Sequence, residues 1–385
     1  MAHIEQRNID EKFINLAINL AKKYSGNSAE NPMVGCVIVC DNNILATATT
    51  SSSGRPHAEI NAINKIIDKN ILSKSTIYIT LEPCCHFGKS SPCVDEIIKY
   101  KFKRVVFCSI DPNPLVNGKS IELLQRNNIE VIHGIKNLEA QKINQDFFKF
   151  ITQKKPFITI KIASSLDGKI ADRNYNSKWI SNEKSRQFAH LLRAKNQAIL
   201  VGANTLIHDD PSLNCRLAGL ENNSPIQIVI TKNLQFSFKE KFFNENFSQK
   251  KILICDDSHS QNNNLAIWQK KSANNQVIFF KNNQQNIDLK LVLQELFKLN
   301  IKSILVEGGS AIITQLISQN LVDQLILIRS TKIFGNQAIP AINNLKIDNI
   351  KDSIQNFSRV NFFAIDQDLV EIFNYVDGRD DEYKN

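Results

Sequence analysis

Nowhere in the 385 residues is there an apolar run approaching the roughly 20 residues that span a bilayer, so no membrane partner is expected. No apolar secretory segment follows Met1, and residues 2–10 are polar, which points to a reducing, cytoplasmic setting. Under those conditions the eight cysteines do not read as a disulfide framework. Cys84, Cys85 and Cys93 are better explained by metal, while Cys36, Cys40, Cys108, Cys215 and Cys255 read as buried thiols. The net charge of +9 arises from 47 basic and 38 acidic residues without a long Lys/Arg run. Such a balance suits anionic small ligands, and without a basic stripe interleaved with aromatics it argues against nucleic acid. A G-x-G-x-x-G after a strand is also missing, so any dinucleotide site must be built without the Rossmann fingerprint.

What is present is enough apolar content, 42%, for two cores of ordinary size. Gln153-Lys154-Lys155-Pro156 reads as a linker, because proline and clustered polar residues separate two patterned segments, and Asp146 to Phe150 reads as the end of a helix before it. The expected domains are residues 1–153 and 156–375.

In the first, apolar spacing predicts a helix through Phe13, Leu16, Ala17 and Leu20 and a hairpin over 34–39 and 44–50. Further strands are expected at 76–81, 105–108 and 129–132, with a helix over 120–125. Helices on both faces of a mixed sheet make a three-layer α/β/α arrangement. In the second, apolar runs at 157–162, 198–201, 226–230, 251–254, 277–280, 303–306 and 324–328 alternate with helix or loop, the pattern of an α/β domain with a largely parallel sheet. Residues 233–288 are rich in Asn, Gln and Lys and are expected to be surface loops around two of these strands. The polar tail, 378–385, has nothing to pack with.

One stretch carries recognisable chemistry. His57-Ala58-Glu59 followed by Pro83-Cys84-Cys85-His86 and Cys93 is the pattern by which zinc deaminases hold one metal and one proton carrier. One imidazole and two thiolates suit zinc, and three protein ligands, His57, Cys84 and Cys93, leave the fourth tetrahedral position for water. Glu59 is the candidate proton shuttle to a departing amine. Pro56 is expected in a first helical turn ahead of Ile60, Ile63, Ile66 and Ile67, and Pro92 to open a second helix whose N-terminus favours thiolate at Cys93. Cys85 and His86 are the alternative fourth ligands that would close the site and make it structural.

The motifs extend in both directions. Asn31-Pro32-Met33-Val34-Gly35-Cys36, His57-Ala58-Glu59, Thr80-Leu81-Glu82-Pro83-Cys84 and Asp111-Pro112-Asn113-Pro114 are joined by a second set beyond the linker: Ala163-Ser164-Ser165-Leu166-Asp167-Gly168, Trp179-Ile180-Ser181, Leu192-Arg193-Ala194, Val201-Gly202-Ala203-Asn204-Thr205, Asp209-Asp210-Pro211 and Val306-Glu307-Gly308-Gly309. Together these resemble the bifunctional deaminase/reductase family of riboflavin biosynthesis, over about residues 10–372. The resemblance implies a cytidine-deaminase-like zinc domain with one zinc ion, a dihydrofolate-reductase-like C-terminal domain using NADPH, a small phosphoribosylated pyrimidine as substrate, and a homo-oligomer.

It also implies roles for single residues. Ala163, Trp179, Thr205, Asp209, Gly309 and Ser310 match cofactor contacts, and Ser177, Arg193, Leu213, Arg216 and Glu307 match substrate contacts. Lys161, Asp209 and Glu307 match the polar groups nearest hydride transfer. A glycine pair between a strand and a helix start lets backbone N–H groups approach a pyrophosphate. Two departures stand out: Thr50 occupies a position where the family usually has His, and Thr231-Lys232 replaces Asp-Ser, which makes Lys232 a candidate for the cofactor's extra phosphate. Two other classes compete: a deaminase of nucleic-acid bases, and a structural zinc module beside a ligand-binding domain.

Overall fold

The computed structural model describes residues 2–24, 31–88, 90–244, 249–281 and 287–376, so the 378–385 tail and parts of the 233–288 segment lie outside the described residues. The chain divides into two compact units, Met1–Lys154 and Lys155–Asn385.

The first unit is built on a five-stranded sheet in the order β2-β1-β3-β4-β5. The strands are β1 (Gly35–Cys40), β2 (Asn43–Thr49), β3 (Thr76–Leu81), β4 (Arg104–Ser109) and β5 (Glu130–His133). Pairs β1/β2 and β1/β3 are antiparallel, β3/β4 and β4/β5 parallel. Alternating side chains bury both faces, as a strand's two-residue period requires. Val37, Val39, Tyr78 and Val106 meet Phe13, Ile14, Ala17 and Ile18 of α1 (Ala2–Tyr24). Cys36, Ile38, Ile77, Ile79, Val105 and Phe107 face α2 (Ala58–Asn64), α3 (Cys93–Lys99) and α4 (Lys119–Arg126). Each fully buried aliphatic side chain contributes about 1.5–3 kcal/mol, so the two cores rather than helix propensity hold the seven-residue α2 and α3 in place. The short α5 (Asn137–Gln141) adds Ala140 to the α1 side, and α6 (Gln145–Gln153) packs Phe147 and Phe148 on the other. Asp146 to Phe150 is thus the start of a helix, not its end.

The α2 expectation also needs correction. The helix begins at Ala58 with His57 as N-cap in extended conformation (φ −68°, ψ 164°), so Pro56 lies before the helix. It stops at Asn64, and Ile67, read as a core position, is 99% exposed. A Pro-His pair leading in from an extended segment cannot be told from a helix start by φ preference alone.

Gly35 lets α1 approach β1. A Cβ on it would lie 2.0 Å from the Ala17 carbonyl oxygen, a backbone atom that cannot swing aside. Gly35→Ala is therefore expected to destabilise the first unit by about 3 kcal/mol or more. Thermal unfolding followed through zinc release would reveal it; an unshifted transition would mean that α1 is free to move.

The second unit carries a nine-stranded sheet. Its strands are β6 (Phe157–Ser164), β8 (Ala198–Gly202), β9 (Ile226–Ile230), β10 (Lys251–Asp256), β11 (Asn275–Phe280), β12 (Ser303–Glu307), β13 (Gln324–Arg329), β15 (Phe357–Ile365) and β16 (Asp368–Tyr375), while β7 (Lys169–Ala171) and β14 (Ile339–Pro340) form a separate pair. The order is β11-β10-β9-β8-β12-β6-β13-β16-β15, parallel from β11 to β13 and closed by the antiparallel β16 and β15. Its helices are α7 (Glu183–Lys195), α8 (Ala203–Asp209), α9 (Lys241–Asn244), α10 (Asn263–Lys271), α11 (Leu289–Lys298) and α12 (Ser310–Ser318). One face packs Ile160, Leu200, Ile228, Ile254 and Val306 against α11 and α12, the other Ile199, Val201, Val229 and Leu253 against Phe242, Leu265 and Trp268. The parallel strands therefore share their C-terminal ends, where ligand sites of such sheets form.

Candidate functional site

In the first unit three local structures deliver three donors. His57 caps α2, Cys84 follows the end of β3, and Cys93 opens α3 behind Pro92. His57 Nδ1 lies 3.5 Å from Cys84 Sγ and 3.3 Å from Cys93 Sγ, and the three donor atoms are all within 4.8 Å of one another. With Zn–N near 2.0 Å and Zn–S near 2.3 Å, a tetrahedron has an N···S edge of about 3.5 Å, so the donor set fits zinc. Among the described residues no fourth His, Cys, Asp or Glu joins this group. Cys85 turns away, its thiol donating to Leu115 O at 3.6 Å.

The electrostatics separate the two thiols. Cys84 is held down at about 4, chiefly by the hydrogen bond from the Cys93 thiol, which with His57 and the Cys93 N–H at 3.3 Å outweighs burial. The same Cys93–Cys84 contact, with burial, pushes Cys93 well up. The first N–H of α3 thus donates to Cys84. Glu59, in the first turn of α2, is 3% exposed; burial raises its carboxyl, His57 opposes the rise and Cys84 adds to it.

Two further residues shape this site. Glu82 is buried, and its carboxylate accepts from the N–H groups of Asp111 (3.1 Å), Gly118 (2.9 Å) and Ser120 (3.2 Å) and from the Ser120 hydroxyl. It straps the 111–120 loop to the segment that carries Cys84. Its position two residues before Cys84 was visible in the sequence, but not its partners. Thr50 is buried; its hydroxyl accepts from Val34 N–H at 3.0 Å and donates to Pro32 O at 3.1 Å, so it fixes the entry to β1.

In the second unit the residues assigned by resemblance, Lys161, Ala163, Ser177, Trp179, Arg193, Thr205, Asp209, Leu213, Arg216, Glu307, Gly309 and Ser310, all line one cleft of about 850 Å³, as do Thr231 and Lys232. At its floor Glu307, the last residue of β12, is 8% exposed. Arg193 Nε and Nη2 donate to its two oxygens at 2.8 and 2.9 Å, and Lys161 Nζ lies 3.4 Å away. Burial alone would raise the Glu307 carboxyl, but Arg193 and Lys161 outweigh it and hold the group well below the usual carboxylate range. Arg193 Nη1 donates to Asn214 O at 3.0 Å, so this guanidinium is committed to Glu307 and the 214 backbone as well as facing the cleft. Arg216, by contrast, is exposed, with Nη1 donating to Asn214 Oδ1 at 2.8 Å.

Gly308 and Gly309 have φ of +76° and +81° and link β12 to α12. A Cβ on Gly308 would sit 3.0 Å from Thr205 Oγ1, and one on Gly309 3.3 Å from the same atom, so the turn is pressed on α8 with the α12 N-terminus at the cleft. That cradle fits a dinucleotide phosphate. Asp209 Oδ1 accepts from the Ser177 hydroxyl at 2.7 Å. Arg186 lies 4.3 Å from the Trp179 ring centre, and Tyr175 stacks on His208 at 4.5 Å, contacts that no residue spacing announced.

Comparison with known proteins agrees with this division. Residues 7–109 match the cytidine and deoxycytidylate deaminase zinc-binding region, and residues 156–370 match the RibD C-terminal domain. The chain is 37% identical to the riboflavin biosynthesis protein RibD of Aquifex aeolicus, over 91% of this chain and 94% of that one. It is 32% identical to the Escherichia coli protein of the same name, over 86% and 89%. Among solved structures it is similar to a diaminohydroxyphosphoribosylaminopyrimidine deaminase/5-amino-6-(5-phosphoribosylamino)uracil reductase from Thermotoga maritima, with 31% identity, TM-score 0.81, and coverage of 96% of this chain and 99% of that one. It is likewise similar to Acinetobacter baumannii RibD, with 28% identity, TM-score 0.85, and coverage of 96% and 100%.

Fold, donor set and matches together define a zinc-binding deaminase domain followed by a reductase domain in one bifunctional enzyme. The chain belongs to the RibD family of riboflavin biosynthesis.

Proposed function

We propose that residues 1–153 hydrolytically deaminate 2,5-diamino-6-(5-phosphoribosylamino)pyrimidin-4-one, with one zinc ion held by His57, Cys84 and Cys93. Residues 156–375 then reduce the ribosyl group of the deaminated product to ribityl with NADPH. The observation that carries this reading is the three-donor set with Glu59 buried beside it, because three ligands leave room for reaction and a fourth would not. Bound there, zinc would supply the Lewis acid that makes water nucleophilic near neutral pH. Glu59, buried beside the donor set, would be the proton carrier between the attacking water and the departing amine. Glu82 keeps the 111–120 loop in place as the pyrimidine enters.

In the reductase cleft NADPH would supply hydride to the sugar C1. Ala163, Trp179, Thr205, Asp209 and the Gly309-Ser310 turn, which line the cleft, would hold the cofactor, and Lys232, in the same lining, would meet its extra phosphate. Ser177, Leu213, Arg193, Arg216 and Glu307 hold the substrate, and Lys161 and Asp209 provide the proton as the ribose ring opens. Arg216, exposed in the cleft, carries the phosphate end with a planar fork suited to its oxygens.

Arg216→Ala is therefore expected to raise the reductase KM for the phosphorylated substrate roughly 10- to 100-fold with little change in kcat, the size of a lost hydrogen bond to a charged group. An unchanged KM would remove Arg216 from the phosphate site. The overall test is a coupled assay with purified protein, zinc and NADPH. Ammonia release from the diaminopyrimidine followed by NADPH oxidation is the expected result, and ammonia release from tRNA or single-stranded DNA instead would overturn it.

A further inference from the structure

α7 makes three contacts with one short loop. Arg193 Nη1 donates to Asn214 O at 3.0 Å, the Cys215 thiol to His190 O at 3.4 Å, and the Arg216 backbone N–H to His190 Nδ1 at 3.3 Å. His190 and Arg193 are three residues apart on α7 and so share a face. Ser224 ties the same loop from the other side, its hydroxyl accepting from the Cys215 N–H at 3.0 Å. Leu213 just before it is 1% exposed with φ +53°, a left-handed conformation that a buried leucine adopts only when its surroundings impose it.

His190 is half-buried and lines the reductase cleft. Its Nδ1 is the acceptor for the Arg216 backbone N–H, a role that the unprotonated nitrogen of a neutral imidazole can fill. Burial, with the cations of Arg193 and Arg216, lowers the imidazole to about 4, so the acceptor persists at neutral pH.

We propose that His190 is a positioning residue for the phosphate end of the reductase site, holding the Arg216 backbone so that the guanidinium meets the substrate phosphate. This rests on the reading of Arg216 given above. His190 touches neither the nicotinamide nor the reacting carbon in this role; it acts through Arg216. Its loss therefore weakens binding of a phosphorylated substrate and spares the chemical step.

Three substitutions in the full-length, zinc-loaded protein separate this from a merely structural role. His190→Asn places an amide oxygen near the position of Nδ1, His190→Gln places its amide one methylene further out, and His190→Phe keeps the ring without nitrogen. His190→Gln and His190→Phe are expected to raise KM for the phosphoribosyl substrate roughly 10-fold, the scale of one hydrogen bond, with kcat within about two-fold. For the dephosphorylated riboside KM should stay within about two-fold, and His190→Asn should restore KM for both substrates to near wild type. Thermal melting identifies a variant that has not folded, and the other of the two lesions is then read.

A wild-type KM in His190→Gln or His190→Phe would overturn the proposal. So would His190→Asn as impaired as His190→Gln, or equal losses on the phosphorylated and dephosphorylated substrates. Arg216→Ala run in parallel tells the two failures apart. If it raises KM while the His190 lesions do not, Arg216 holds the phosphate without His190; if it leaves KM unchanged, the phosphate reading falls and His190's role with it.

Discussion

Glu59→Gln is expected to retain zinc and lose deamination by about 10⁴-fold, the upper end of what a positioned acid/base contributes. The size follows from double use: the same carboxylate both takes a proton and returns it, and an amide does neither. The metal should stay, because the donors are His57, Cys84 and Cys93, and glutamine matches glutamate in volume at a site only 3% exposed. Metal analysis beside ammonia release would check both halves, and reduction of the deaminated substrate by the second unit should be unaffected. Deamination at the wild-type rate would remove Glu59 from the reaction. Loss of zinc in the same variant would assign it a structural part instead.

The second large effect is one of stability. Glu307 pairs with two cations in the cleft, Arg193 and Lys161, the three side chains being 10%, 12% and 13% exposed. Glu307→Gln leaves both positive charges facing each other with little solvent, and breaking a buried pair in this way costs about 3–5 kcal/mol. The second unit is expected to unfold at lower urea or temperature and to lose reductase activity, while deamination continues.

The acid limb gives an independent check. Glu307's folded value lies below its unfolded one, so its contribution to stability is complete above the ordinary carboxylate range and declines as pH falls towards the folded value. The variant should lack this part of the decline. A Glu307→Gln protein as stable as wild type would mean that solvent reaches Arg193 and Lys161 and screens them from each other.

Some of this was legible in the chain itself. The zinc donors lie in two short segments whose residue types and spacing are a chemical statement without any fold, and the runs of Ile and Val that became β3, β4, β8, β9 and β12 are continuous because both faces of those strands are buried. Strand β15 left no such trace. Most of its side chains are exposed, and its apolar residues cluster at the C-terminal end of Phe357–Ile365, so no alternation marks the strand along its length.

What only the tertiary structure decided are the partnerships between distant residues. Arg193 reads equally well as a phosphate ligand or as a surface cation, and its pairing with Glu307 spans 114 positions. That the first N–H of α3 donates to Cys84, nine residues back, depends on how the β3 end and the α3 start meet. His190 is one more polar residue on a helix until the Arg216 backbone arrives at its ring. Local pattern records which face of an element is buried, since burial acts on neighbours one or two turns apart; a hydrogen bond across the sheet depends on strand order and register, and these exist only once the chain has folded.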